Sequence, residues 1–140
     1  MRITETDIQT TVVKKLKDNG LNAFAGEIDE GFTKPAVFVS ADVSELTLLC
    51  SGMESVTDTV EISCYPANET KIECNIFAEK IRNILAYKAL EVNGRYLTIE
   101  NMRFYREKYV QMVEFDLTYE QICPDNGETY DKMESLVLGL

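Results

Sequence analysis

Apolar and polar residues are distributed along this chain with two periods, and their alternation predicts most of its elements. Near the N-terminus, Ile8, Val12 and Leu16 recur at spacings of four with Val13 beside them, the stripe of an amphipathic helix. Thr4 or Thr6 can cap that helix, Asp7 suits its first turn, and Asn19-Gly20 ends it. Leu21 to Phe24 leads out, and Ala25 to Ile28 reads as a short strand before the turn signal Asp29-Glu30-Gly31. Pro35 opens a β-rich run in which Val37, Val39, Ala41 and Val43 share a face. The run continues through Leu46, Leu48 and Leu49 to a tight turn at Ser51-Gly52 and returns from Met53 to Tyr65, so Ala36 to Tyr65 is one long hairpin.

In the returning strand Val60, Ile62 and Cys64 alternate with Thr59, Glu61, Ser63 and Tyr65. Pro66 stops it, and Asn68 or Thr70 can cap a second helix carrying Cys74, Phe77, Ala78, Ile81, Ile84 and Leu85 at spacings of three and four. A strand with one apolar face followed by a helix with one apolar stripe implies a sheet with helices laid across it. Phe77, Ile81, Leu85, Ile62 and Phe115 are the expected core between them. Val92-Asn93-Gly94-Arg95 is a strong hairpin turn, Tyr96 to Met102 a strand, and Arg103 to Tyr109 a charged and aromatic turn. Val110 to Ile122 is the last strand, with Val113, Phe115, Leu117 and Tyr119 alternating with Glu114, Asp116, Thr118 and Glu120. The predicted fold is α+β: a mostly antiparallel sheet with two helices packed on one face, a long β-hairpin and a C-terminal tail. Residues 1–122 form the domain and 123–140 an extension, with Cys123-Pro-Asp-Asn-Gly-Glu as a loop.

Composition narrows the function. A chain of 140 residues suits one core. A net charge of −10 argues against wrapping nucleic acid or lying on an anionic membrane. No run is long enough to span a membrane, and the Met-Arg-Ile-Thr-Glu start lacks a signal-peptide apolar region, which points to synthesis in a cytosol. The chain has no histidine, which removes the commonest general base and the usual triads. Cys50, Cys64, Cys74 and Cys123 show no paired spacing, so no zinc site or disulfide is expected, and Cys64 and Cys74 read as buried filler. There is no GxGxxG and no P-loop. No catalytic, cofactor-binding or metal-binding residue is assigned.

Two acidic clusters, Glu27/Asp29/Glu30 and Glu114/Asp116/Glu120, leave a choice between a solvated outer sheet face and a carboxylate pair in an enzyme or ligand site. Tyr105, Tyr109, Tyr119 and Tyr130 read as core edges and interface anchors. Leu46, Leu48, Leu49 and Met53 crowd a turn where polar residues are usual, which marks the hairpin tip either as a candidate assembly surface that can reach beyond the domain or as a segment folded back onto it. Tyr130, Met133, Leu136, Val137 and Leu140 form a second candidate, in the tail.

The order of the pieces resembles the small phage tail terminator proteins of Gram-positive bacteria and their prophages. The resemblance rests on the N-terminal helix; on Gly26-Glu27-Ile28, Gly31-Phe32 and Lys34-Pro35-Ala36-Val37-Phe38-Val39; on Val60 to Pro66 before Ala78-Glu79-Lys80-Ile81; and on Phe115-Asp116-Leu117-Thr118-Tyr119. It covers about residues 1–122. It implies a virion structural protein without catalytic residues, a homo-oligomeric ring, a hexamer, on the head-proximal end of the tail tube. That ring halts tube growth and offers a docking face to the head or neck. The implied partners are other copies of the chain, the tube protein, and the sheath and head or neck connector proteins, with DNA passing the lumen unbound and no membrane involved. The same part serves contractile, headless particles. The other reading is a small cytosolic enzyme or ligand-binding protein that uses the acidic sheet face.

Overall fold

A computed structural model describes residues 2–26 and 31–124. Helix α1 (Glu5–Asp18) starts at Thr4, whose hydroxyl accepts from the Asp7 amide while the Asp7 carboxylate accepts from the Thr4 amide. This reciprocal cap satisfies two end donors of the helix. Ile8, Val12, Val13 and Leu16 form its buried stripe. Gly20 follows at φ 88°, a conformation glycine takes without strain, and lets the Leu21 amide reach back to the Leu16 carbonyl.

Strand β1 (Ala23–Ala25) comes next, three residues that pair parallel with the start of β2 (Ala36–Leu48). The short strand therefore lies earlier than the sequence pattern predicts: Ala23 is the residue whose side chain is buried. A 3-10 turn at Cys50–Gly52 links β2 to β3 (Met53–Tyr65), confirming the long hairpin. Helix α2 (Lys71–Leu85) is capped by Thr70 and buries Cys74, Phe77, Ile81 and Leu85. The Asn-Gly turn joins β4 (Leu90–Val92) to β5 (Arg95–Leu97) in a separate two-stranded ribbon.

Arg103 to Tyr109 is not a turn. Strand β6 runs Ile99–Glu107 and turns only at Lys108 and Tyr109 before β7 (Val110–Ile122). Its two arginines, Arg103 and Arg106, have cross-strand partners on β7, so charge here marks a paired strand rather than a loop. Arg103 faces Glu114 and Asp116, and the Tyr105 hydroxyl donates to Glu114 at 2.8 Å.

The main sheet has the order β1-β2-β3-β7-β6 and is antiparallel except at β1. Both helices lie on one face of it. Phe77, Ile81 and Leu85 of α2 and Ile8, Val12 and Leu16 of α1 join Val37, Val39, Val60, Ile62, Val113, Phe115 and Leu117 in one core. Among the described residues the opposite face carries no helix.

Candidate functional site

The hairpin tip was the first candidate. It does not project alone, because β3 is paired with β7 from Cys64 as far as Met53, opposite Ile122. Its apolar side chains nevertheless face solvent. Leu48 is 72% exposed, Leu46 and Leu49 are exposed, and Met53 is half-buried. Val37, Val39, Ala41 and Val43 do share a face, opposite Cys64, Ile62, Val60 and Asp58, but its burial fades along the strand: Val37 and Val39 lie under α1, Ala41 is half-buried and Val43 is exposed, and a bulge follows between Val43 and Glu45. Ile122, 73% exposed, adds to the tip from β7. Sequence reading placed it at the end of the last strand without seeing that this end lies beside the hairpin turn.

A polar network missed by the sequence reading holds this end of the sheet. Glu54, Asp58 and Gln121 are buried. Arg2 reaches Glu54 at 2.7 Å and the Ile122 carbonyl at 2.9 Å. The Gln121 side-chain oxygen accepts from the Ile3 amide, while its nitrogen donates to the Ile3 carbonyl and to Glu54. The Cys123 amide donates to the Gly52 carbonyl at 2.7 Å, tying the end of β7 to the hairpin turn. The alternation that buries Val60 and Ile62 also buries Asp58 and Glu54, which was the available signal.

Asp58 accepts a 2.7 Å hydrogen bond from the Tyr119 hydroxyl, which also lies 3.3 Å from Glu5 Oε2. Asp58 Oδ1 is buried without a hydrogen-bond partner among the described residues. Burial pushes the Asp58 carboxyl up to about 7; the charges of Glu5 and Asp42 add to this and the Tyr119 hydrogen bond opposes it. Burial, followed by the Asp58 contact, raises Tyr119 as well.

The acidic outer face is a paired surface. The Arg103 hydrogen bond holds Asp116 below its ordinary value, with Thr59 and Asn101 also donating to it. Burial and the neighbouring Glu114 raise Glu61. Glu120 is exposed further along β7, and its backbone carbonyl accepts from Arg95. At one end of this face Phe24, Phe32, Phe38 and Tyr65 form an aromatic cluster with ring centroids 4.9–5.8 Å apart. Of the other tyrosines, Tyr119 is buried, and Tyr105 and Tyr109 are exposed.

The four cysteines are free, with Cys64 and Cys74 buried. Among the described residues no group of three or more His, Cys, Asp or Glu could hold a metal ion, and no helix is long and apolar enough to cross a membrane. Glu27, Asp29, Glu30, Tyr130, Met133, Leu136, Val137 and Leu140 lie outside the described residues.

The family model described as phage tail terminator protein matches residues 7–129. No curated protein matches the chain. Among solved structures 23 chains match. One of them, described only by a sequence identifier, is 14% identical and is covered over 100% of its length by 89% of this chain, with a TM-score of 0.46.

Proposed function

The chain belongs to the phage tail terminator family, a family of structural proteins, and on that premise we propose that it forms a ring capping the head-proximal end of a tail tube. Membership places it in the virion tail among other tail components. The finer reading is a hexamer that stops tube growth and presents a docking face to the head or neck. The tube protein lies beneath it, sheath and connector proteins are its further neighbours, and its setting is a phage, prophage or headless contractile particle of a Gram-positive host. In this reading Leu46, Leu48, Leu49 and Met53 belong to the assembly surface, and Tyr130, Met133, Leu136, Val137 and Leu140 dock on a neighbouring subunit or the next ring. The family match over residues 7–129 carries the proposal.

Two features support it. A ring of identical copies needs two different patches on each copy, one for each neighbour. The uneven surface, with an apolar tip at one end of the sheet and an acidic and aromatic face elsewhere, offers such differences. A net charge of −10 suits a lumen that DNA crosses without sticking.

Electron microscopy of particles made without this chain tests the proposal. The expected result is tails of uncontrolled length or tails without heads. Normal-length tails joined to heads would overturn it.

A further inference from the structure

Two long stretches of strand edge have no described strand paired beyond them. Strand β1 pairs only with Val37–Val39, so Ser40–Leu48 has β3 on one side and no described strand on the other. The Val37 amide donates to the Asn22 carbonyl and the Val39 carbonyl accepts from the Gly26 amide, so odd-numbered residues turn their backbone groups outward here. The bulge between Val43 and Glu45 reverses this order, because beyond it Leu49 hydrogen-bonds inward to Met53. Ala41, Val43, Leu46 and Leu48 therefore point their amides and carbonyls away from the sheet. At the far edge, Glu107 and Val110 flank a two-residue turn and form a bonded pair. Counting back, Tyr105 and Arg103 face β7, and Phe104 and Arg106 turn outward.

The two edges match in three respects. They have the same length, Ser40–Leu48 against the nine residues of β6. They run in opposite directions, since β2, β3, β7 and β6 alternate along the sheet. A copy placed beside another in the same orientation thus sets β6 antiparallel to β2. Their apolar side chains lie on the same face: Ala41, Val43, Leu46 and Leu48 stand opposite Val60, Asp58, Val56 and Glu54, and Phe104 stands opposite Val113, all on the helix-bearing side. Their charges do not oppose the pairing: Asp42 and Glu45 are the only charges on the β2 edge, and β6 and its turn carry Arg103, Arg106 and Lys108 beside Glu100 and Glu107, with Arg103 also held by Glu114 and Asp116 of its own subunit.

We propose that the outer edge of β2 over Ser40–Leu48 pairs antiparallel with β6 of a second copy of this chain, continuing the sheet from subunit to subunit. The inference rests on the ring proposed above and names the contact that would build it. Exposed backbone groups on both edges gain hydrogen bonds, and Val43, Leu46 and Phe104 leave water together. The contact is heterologous, so an open assembly keeps one free edge at each end until the ring closes. A bulge in each strand, at Val43/Glu45 and at Glu100/Arg103, works against indiscriminate pairing with other strands.

Mixing two blocked variants tests this contact. Leu46→Pro removes an outward amide from the β2 edge, and Phe104→Pro does the same on β6, neither costing a ladder bond inside the subunit. Leu46→Lys and Phe104→Lys serve if either proline variant loses its far-UV circular dichroism. Sedimentation is expected to show a wild-type oligomer, each variant alone as a folded monomer, and their mixture as a heterodimer of twice the monomer mass. Dimers of the Phe104 variant alone would mean β2 pairs with its own copy and would overturn the proposal. Wild-type-sized oligomers from both variants would overturn it while leaving the ring intact. A wild-type chain that stays monomeric at every concentration and in assembled particles would overturn both.

Discussion

Asp58 is the residue whose chemistry is most at odds with its place. It sits on the buried face of β3, receives the Tyr119 hydroxyl, and has Glu5 of α1 and Asp42 of β2 as its charged neighbours. Its carboxyl ordinarily titrates near 3.8 and is pushed up to about 7 in the fold. Between these values the folded chain holds a proton that the unfolded chain has released. The stability from that proton is complete below 3.8 and is lost as pH rises through about 7. Asp58→Asn keeps the acceptor for Tyr119 and cannot ionise. The variant is expected to gain stability over the wild type between pH 4 and pH 8, by on the order of 2–4 kcal/mol. Urea melts of both chains across that range check this. Glu61 shifts in the same direction, so the difference between the two chains, rather than the wild-type curve alone, isolates Asp58. Equal pH dependence in both chains would show that Asp58 does not carry the effect.

The elements that were legible in the sequence are those whose neighbours repeat one period. Both helices, the strand Met53–Tyr65 and the strand Val110–Ile122 have one buried face along most of their length, and the outgoing strand of the hairpin, buried only over Ala36–Val39, was legible through its run of β-formers and its turn. β1 was displaced because three residues cannot show a period, and its place depends on pairing with Val37–Val39 across the sheet. β6 was truncated because it is an edge strand whose Arg103, Tyr105 and Arg106 are held by partners on β7 and α2, and local sequence resembles a turn when those partners are out of view. The hairpin tip was recognised as apolar, but its union with Ile122 depends on where β7 ends in space. The packing of α2 against the sheet gives the element-scale prediction. Phe115 is fully buried and Phe77 nearly so, within one cluster with Ile62, Ile81 and Leu85. Phe115→Ala is expected to cost about 3–5 kcal/mol and Phe77→Ala the lower part of that range, as read from denaturant midpoints at unchanged slope. A loss below about 1 kcal/mol at Phe115, the size usual for surface sites, would mean that this interface does not hold the helix.

At the scale of the whole molecule, the described core is closed by the end of β7. Gln121 is locked between Ile3 and Glu54, and the Cys123 amide is bound to Gly52, so the sheet has its last internal anchor there. The chain leaves that anchor at the hairpin end of the sheet, where Leu48 and Leu49 are exposed and which is proposed above as an assembly surface. Beyond it, Met133, Leu136, Val137 and Leu140 fall three and four apart, a spacing that would place them on one side of a short helix. A helix of that length is marginal alone in water, where about 12–15 residues are needed even for favourable sequences, so it gains stability only by entering a groove. The described core is complete without these residues, and a neighbouring subunit is the site expected to receive them. A chain ending at Pro124 is therefore expected to fold as a monomer with stability within about 0.5 kcal/mol of the full chain, the range of changes that touch no core. It is expected to lose ring assembly in the same sedimentation experiment. Loss of monomer folding would place the segment on its own sheet, and undiminished assembly would remove it from the interface and leave the β2–β6 contact to hold the ring alone.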